Sequence, residues 1–146
     1  MMGQKASKSI SNDTKGFFQG SERYAVVGAS ANRMKFGNKV LISYMDAGLE
    51  VVPVHPTLEE IEDLKVQQLE QLENPETYGV SIVTPPGVSM SVIEQGQKLG
   101  FKRFWLQPGA ESKEILSKEW GEDVQVIAGG PCVLVSIDRG EHKSKL

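Results

Sequence analysis

Hydrophobic positions along this chain alternate between two rhythms. Short, near-continuous apolar runs rich in Val and Ile fall at residues 24–27, 50–54, 80–83, 103–106 and 125–128, the pattern of strands buried on both faces. Between them, apolar residues return at three- and four-residue spacing. In 36–47, Val40, Leu41, Tyr44 and Met45 share one helical face, and Gly48 supplies the stop. In 89–99, Val92, Ile93 and Gly96 do the same ahead of Gly100, and 111–120 reads as a further helix packing Ile115, Leu116 and Trp120. Phe104 and Trp105 fall within a strand and read as core.

Other segments are less regular. Residues 58–75 are mostly polar, with short helical turns near 69–72 and with Ile61 and Leu64 tacking the segment to the core. The run 132–137 reads as a strand or a short turn. Strand–helix alternation with short links predicts an α/β fold, a Rossmann-like, doubly wound, mostly parallel sheet with helices on both faces, in a single domain. Its span is 17–137, after a disordered polar lead-in over 1–16 and before a charged tail over 138–146. Gly3 would carry the spacing of a myristoylation signal with Met2 as the start; the bland alternative, a solvated tail, is preferred.

Composition narrows the function classes. A chain of 146 residues with 39% hydrophobic and 24% charged residues has room for a real core. A formal charge of −3 argues against a general nucleic-acid binder. The single cysteine, Cys132, excludes an internal disulfide framework and suits a reducing compartment, so a cytoplasmic location is the default. No apolar run reaches the roughly 18 residues of a membrane span, and no membrane association is expected.

The chemistry concentrates where the first strand ends. Tyr24-Ala25-Val26-Val27 runs into Gly28-Ala29-Ser30, then a loop with Arg33 and Lys35, then Phe36-Gly37-Asn38-Lys39 opening a helix. Free N–H groups in a helix's first turn, beside a glycine corner, make an anion site from main-chain geometry. Arg33, Lys35 and Lys39 add positive charge where the helix dipole alone would disfavour it. A nicotinamide dinucleotide fits poorly. Of the G-x-G-x-x-G pattern only Gly28 is in place, and the second strand ends in Val54-His55-Pro56, with no carboxylate for a ribose diol.

The segments Val26-Val27-Gly28-Ala29-Ser30, Lys35-Phe36-Gly37-Asn38-Lys39-Val40, Val51-Val52-Pro53-Val54-His55-Pro56, Val83-Thr84-Pro85-Pro86, Trp105-Leu106-Gln107-Pro108-Gly109-Ala110-Glu111 and Ala128-Gly129-Gly130-Pro131-Cys132 together resemble the stand-alone CoA-binding domain family. That family is similar in fold to the CoA-binding domain of succinyl-CoA synthetase α subunits and of ADP-forming acyl-CoA synthetases. The resemblance implies coenzyme A, free or as a thioester, lying across the strand ends. Gly28, Ala29, Ser30, Arg33, Lys35, Phe36, Gly37, Asn38 and Lys39 would surround its phosphates, and His55 and Pro56 would flank the nucleotide end. Thr84, Pro85, Pro86, Leu106, Gln107 and Pro108 would wall the pocket.

Catalytic hardware is sparse. No Ser–His–Asp set, metal-binding H-x-x-x-H, Walker loop or pair of buried carboxylates can be argued, and the histidines are His55, in a turn, and His142, in the tail. Cys132 follows Gly129-Gly130-Pro131 and is either a reactive thiol near the ligand or an inert buried one. The expected function is binding of CoA or an acyl-CoA without catalysis, as a sensor, carrier or regulatory module. The alternatives are an NAD(P)-dependent oxidoreductase and the nucleotide-binding subunit of a CoA ligase. A homodimer or a ligase partner subunit remains open at this point.

Overall fold

Strand β1, Arg23–Val27, is buried along nearly its whole length because it feeds two cores at once. In the computed structural model, which describes residues 9–144, its alternate residues point to opposite faces of a parallel sheet. Ala25 and Val27 join one apolar cluster, and Tyr24 and Val26 join the other. The remaining strands are β2 (Val51–Val54), the short β3 (Glu60–Ile61) and β4 (Leu64–Lys65), then β5 (Tyr78–Ile82), β6 (Arg103–Leu106) and β7 (Gln125–Ile127). The main sheet has the order β2-β1-β5-β6-β7, and all its pairings are parallel.

Helices cover both faces, as expected for a doubly wound fold. On one side lie α1 (Thr14–Gly20), α2 (Phe36–Asp46) and α5 (Val133–Asp138), which bury Phe17, Phe18, Leu41, Tyr44, Val133 and Ile137 around Trp105. On the other lie α3 (Pro86–Leu99) and α4 (Lys113–Ser117), packing Val92, Ile93 and Ile115 against Phe104 and Leu106. The first core is aromatic: Phe17 meets Trp105 edge-on at 5.1 Å and Tyr24 stacks on Tyr44 at 4.7 Å. The Tyr44 hydroxyl shares a 2.6 Å hydrogen bond with Ser81 in β5, and burial pushes its pKa up, so the pair stays neutral.

Several expectations need correction. The lead-in expected to be disordered through residue 16 is ordered over its described part: Ser11 bridges Ile127 of β7, and the Asp13 side chain accepts from the Gly16 N–H to cap α1. Two phenylalanines buried by α1 supply the driving force. Residues 1–8 lie outside the described part of the chain, and with them the myristoylation-type spacing. The run read as a strand or turn at 132–137 is helix α5. Residues 111–120 keep a helix over Lys113–Ser117 alone, with Trp120 buried beyond it. The charged tail turns back, and Glu141 accepts a 2.6 Å hydrogen bond from the Thr14 hydroxyl while His142 lies edge-on to Phe18. Among the described residues no helix is long and apolar enough to cross a membrane.

The irregular segment after β2 has a definite task. Pro53 sits in β2, an edge strand, where a missing N–H costs no ladder bond. The β3–β4 hairpin packs against that edge, with the Gln67 N–H donating to the Pro53 carbonyl at 3.1 Å. Its two-residue turn, Glu62-Asp63, has both φ values positive, at 52° and 67°, a conformation that usually selects Asn or Gly. Side chains from the β1–α2 loop hold it there. Arg33 makes a bidentate pair with Glu62, Nε to Oε2 at 3.1 Å and Nη2 to Oε1 at 3.0 Å, and Asn38 donates to Oε2 at 2.8 Å.

Two expected outcomes follow from this packing. Leu106, at the end of β6, is wholly buried, so Leu106→Ala should cost about 2–5 kcal/mol, read as a lower urea midpoint. The hydrogen bonds from Arg33 and Asn38 hold the Glu62 carboxyl below its ordinary range. A depressed folded-state pKa means its contribution is fully present above the ordinary carboxylate range and disappears as pH falls through the folded value. Urea midpoints of wild type and Glu62→Gln should therefore differ at neutral pH and converge in acid; a gap that persists in acid would contradict the assignment.

Candidate functional site

The order of the main sheet reverses direction at β1. From β1 the chain moves outward to β2 on one side and then to β5 on the other, so the crevice between the ends of β1 and β5 is a topological switch point, where open α/β sheets bind ligands. A cleft of about 950 Å³ lies there. That is near the top of the roughly 300–1,000 Å³ usual for small-molecule sites, large enough for an extended nucleotide.

Its floor is built by glycine. Gly28 ends β1 with φ of 92°, and a Cβ there would lie 2.9 Å from the carbonyl carbon of Val83, in the neighbouring crossing. Gly37, in the first turn of α2, approaches so closely that a Cβ would overlap the Gly28 carbonyl oxygen. The first turn of α2 is thereby pressed onto the end of β1. No side chain caps α2, nor α3, whose Pro85-Pro86 start follows β5. The first turn of α2 thus opens at the switch point with uncapped N–H groups and a positive dipole end, and α3 adds its dipole end beside it but no donor from Pro85 or Pro86, which carry no N–H.

The structure brings twelve of the sequence-predicted residues into this cleft: Gly28, Ala29, Ser30, Lys35, Phe36, Gly37, His55, Pro56, Thr84, Pro85, Gln107 and Pro108. It places five elsewhere. Leu106 is core, and Pro86 is exposed at the start of α3 outside the lining. Asn38 is buried and donates to the Ser30 carbonyl at 2.9 Å, fixing the loop from behind. Arg33 faces Glu62, which raises its pKa, and Lys39 lies over the Phe36 ring at 5.5 Å. Of the three loop cations only Lys35 lines the cleft.

Other lining residues escaped the sequence reading. Val88, Val92 and Gln95 come from α3 at positions i, i+4 and i+7, a helical spacing that could have flagged them. Gln68, Leu69 and Glu70 enter from a short 3₁₀ turn over Leu69–Gln71, inside the segment with no clear periodicity. Glu70 brings to the cleft lining an acidic residue that the sequence of β2 itself lacks. Met34, Phe36 and Val88 form an exposed apolar part of the lining.

The loops after β6 and β7 are knitted together. Glu111 accepts from the N–H groups of Gly109 at 2.7 Å and Gly129 at 3.2 Å. Gln107 accepts from the Val133 N–H at 2.8 Å and donates to the Cys132 sulfur at 3.3 Å, while Trp105 Nε1 donates to the Pro131 carbonyl. Cys132 is therefore behind the cleft wall, in contact with a residue that lines it. Among the described residues, no group of three or more His, Cys, Asp or Glu could hold a metal ion.

Known proteins resemble this chain in sequence and fold. The uncharacterised protein YneT of Bacillus subtilis is 31% identical over 122 residues, covering 77% of this chain and 84% of YneT. A conserved hypothetical protein from Pyrococcus furiosus, of known structure, is 38% identical with a TM-score of 0.69, covering 79% of this chain and 98% of its own. A hypothetical protein from Pyrococcus horikoshii shares the fold with a TM-score of 0.76 at 23% identity, over 93% of this chain and 98% of its own. The family model described as CoA binding domain matches residues 22–138, which takes in every strand and all the helices but α1 and the last turn: the chain belongs to the CoA-binding domain family.

Proposed function

We propose that the chain holds coenzyme A or an acyl-CoA in the cleft at the ends of β1 and β5 and does no chemistry on it, serving as a sensor, carrier or regulatory module. The observation that carries this reading is the uncapped start of α2, pressed onto a glycine corner that a single Cβ would fill, with the dipole end of α3 opening beside it. Main-chain N–H groups there suit a diphosphate, and Lys35 adds one charge-assisted contact. Ser30 and Thr84 offer hydroxyls beside it, and the apolar remainder of the lining (Val54, Leu69, Val83, Val92 and Ala110) suits the uncharged parts of the cofactor. The bound cofactor would present a thiol or thioester, and this chain's residues would bind and orient it.

Glu70 favours one competitor specifically, since a carboxylate in the cleft lining is what a ribose diol of NAD would use. Isothermal titration with CoA, acetyl-CoA, NADH and NADPH separates the readings: heat with the CoA compounds is expected, and heat with NADH or NADPH but none with CoA would install the oxidoreductase instead. Sizing of the purified protein, and co-purification of a nucleotide-grasp chain, would test for a homodimer or a ligase partner.

Two variants probe the corner itself. Gly37→Ala should abolish CoA binding, because α2 must back away from the Gly28 carbonyl, and should also lower the melting temperature. Lys35→Ala should weaken CoA binding about tenfold and reduce its dependence on salt. A smaller effect is expected from Arg33→Ala, whose guanidinium is already engaged by Glu62. An unchanged salt slope in Lys35→Ala would place the phosphates elsewhere.

A further inference from the structure

We infer that His55 is a proton-fixed hydrogen-bond donor that reads an acceptor on the adenosine end of the nucleotide, and that it serves as neither base nor nucleophile. The inference rests on the CoA reading and adds the chemistry of one wall. His55 follows β2 directly and lines the cleft. Its Nδ1 accepts from two backbone donors, the N–H groups of Thr57 at 3.1 Å and Leu58 at 3.0 Å. A ring nitrogen that accepts carries no proton, so the proton of the neutral imidazole is on Nε2.

The residue is held at its ring and at its backbone. Its Nδ1 closes the turn over residues 55–58, and the His55 carbonyl accepts from the Gln68 side-chain amide at 2.7 Å. Pro56 limits the backbone that follows. Nε2–H has no protein partner among the described residues, which leaves it for what the cleft holds. Most dinucleotide sites put a carboxylate here, an acceptor for ribose hydroxyls. Here the residue that directly follows β2 is a donor, with Glu70 elsewhere in the lining, so the group Nε2–H meets is an acceptor: an oxygen of a phosphate on the ribose, or an oxygen or ring nitrogen of the adenosine. The same bonds remove His55 from chemistry. The Nδ1 lone pair is engaged by two N–H groups, and Nε2, protonated, has none to offer an incoming proton or phosphoryl group.

Asparagine separates the two functions of the ring. In His55→Asn the side-chain oxygen can still accept from the N–H groups at 57 and 58, as Asn does in turns, while the Nε2–H donor is gone. The thermal midpoint should stay near wild type, and CoA affinity should fall about three- to tenfold, the worth of one hydrogen bond. Dephospho-CoA measured in parallel locates the acceptor: a loss confined to CoA puts it on the ribose phosphate, and an equal loss for both puts it on the adenosine itself. A long-range ¹H–¹⁵N spectrum of the wild-type protein should show the His55 proton on Nε2. Unchanged CoA affinity in His55→Asn, or a spectrum with the proton on Nδ1, would overturn the inference while leaving CoA binding intact. A wild-type protein that binds no CoA would remove the functional reading and this inference together, with the tautomer still visible in the spectrum.

Discussion

The approach of α2 to a single carbonyl oxygen sets the geometry of this domain. Residue 37 has no room for a side chain because the Gly28 carbonyl occupies it, and residue 28 has none because the Val83 backbone does. With both positions glycine, the end of β1, the start of α2 and the link after β5 close on one another. Everything at the switch point inherits its position from that contact: the uncapped N–H groups of α2, the Ser30 carbonyl held by Asn38, and the route by which Lys35 reaches the cleft. A Cβ at either glycine would separate a strand from its helix, and the cleft would lose its floor before it lost any ligand contact.

Behind that corner stands a second constraint, the hairpin turn at Glu62-Asp63. A glutamate at φ of 52° is held in an unfavourable backbone region, and three hydrogen bonds from Arg33 and Asn38 oppose the strain. The turn in return immobilises the loop that carries those residues. This changes how the loop's charge is understood. Read along the chain, Arg33, Lys35 and Lys39 look like a cationic anion trap. In the fold, one is neutralised by Glu62, one lies over Phe36, and one remains in the cleft.

Much of the architecture was legible because burial on two faces leaves a plain trace. Val26, Val52, Val80, Phe104 and Val126 lie in apolar runs with no polar face, and the Gly and Pro residues that follow them mark the ends where the cleft forms. The failures have physical causes. Val133, Val135 and Ile137 alternate as a strand would, yet α2 offers a helix-packing surface there and tertiary contact overrides β propensity. Phe17 and Phe18 come directly after a polar, Ser- and Lys-rich lead-in, and the Trp105 they pack against is distant in sequence. Arg33 misled for a related reason, since its acid lies 29 residues away in a segment without periodicity. Glu70, from the same segment, brings to the cleft the carboxylate that inspection of β2 alone declares missing.

These misplacements bear on how the site selects its ligand. If the loop's cations were free, affinity would follow total ligand charge and fall steeply with salt, and any polyphosphate would compete. With one loop cation in the cleft and the remaining donors on the main chain or on the His55 ring proposed above, recognition would depend on where acceptors sit rather than on how many charges they carry. The walls fit that requirement. Glu111 ties Gly109 to Gly129, Gln107 ties β6 to α5, and Gln68 ties the 3₁₀ turn to β2, so the donors keep their positions relative to one another. A site built this way would lose little entropy on binding, and shape and donor position would govern which nucleotide it accepts.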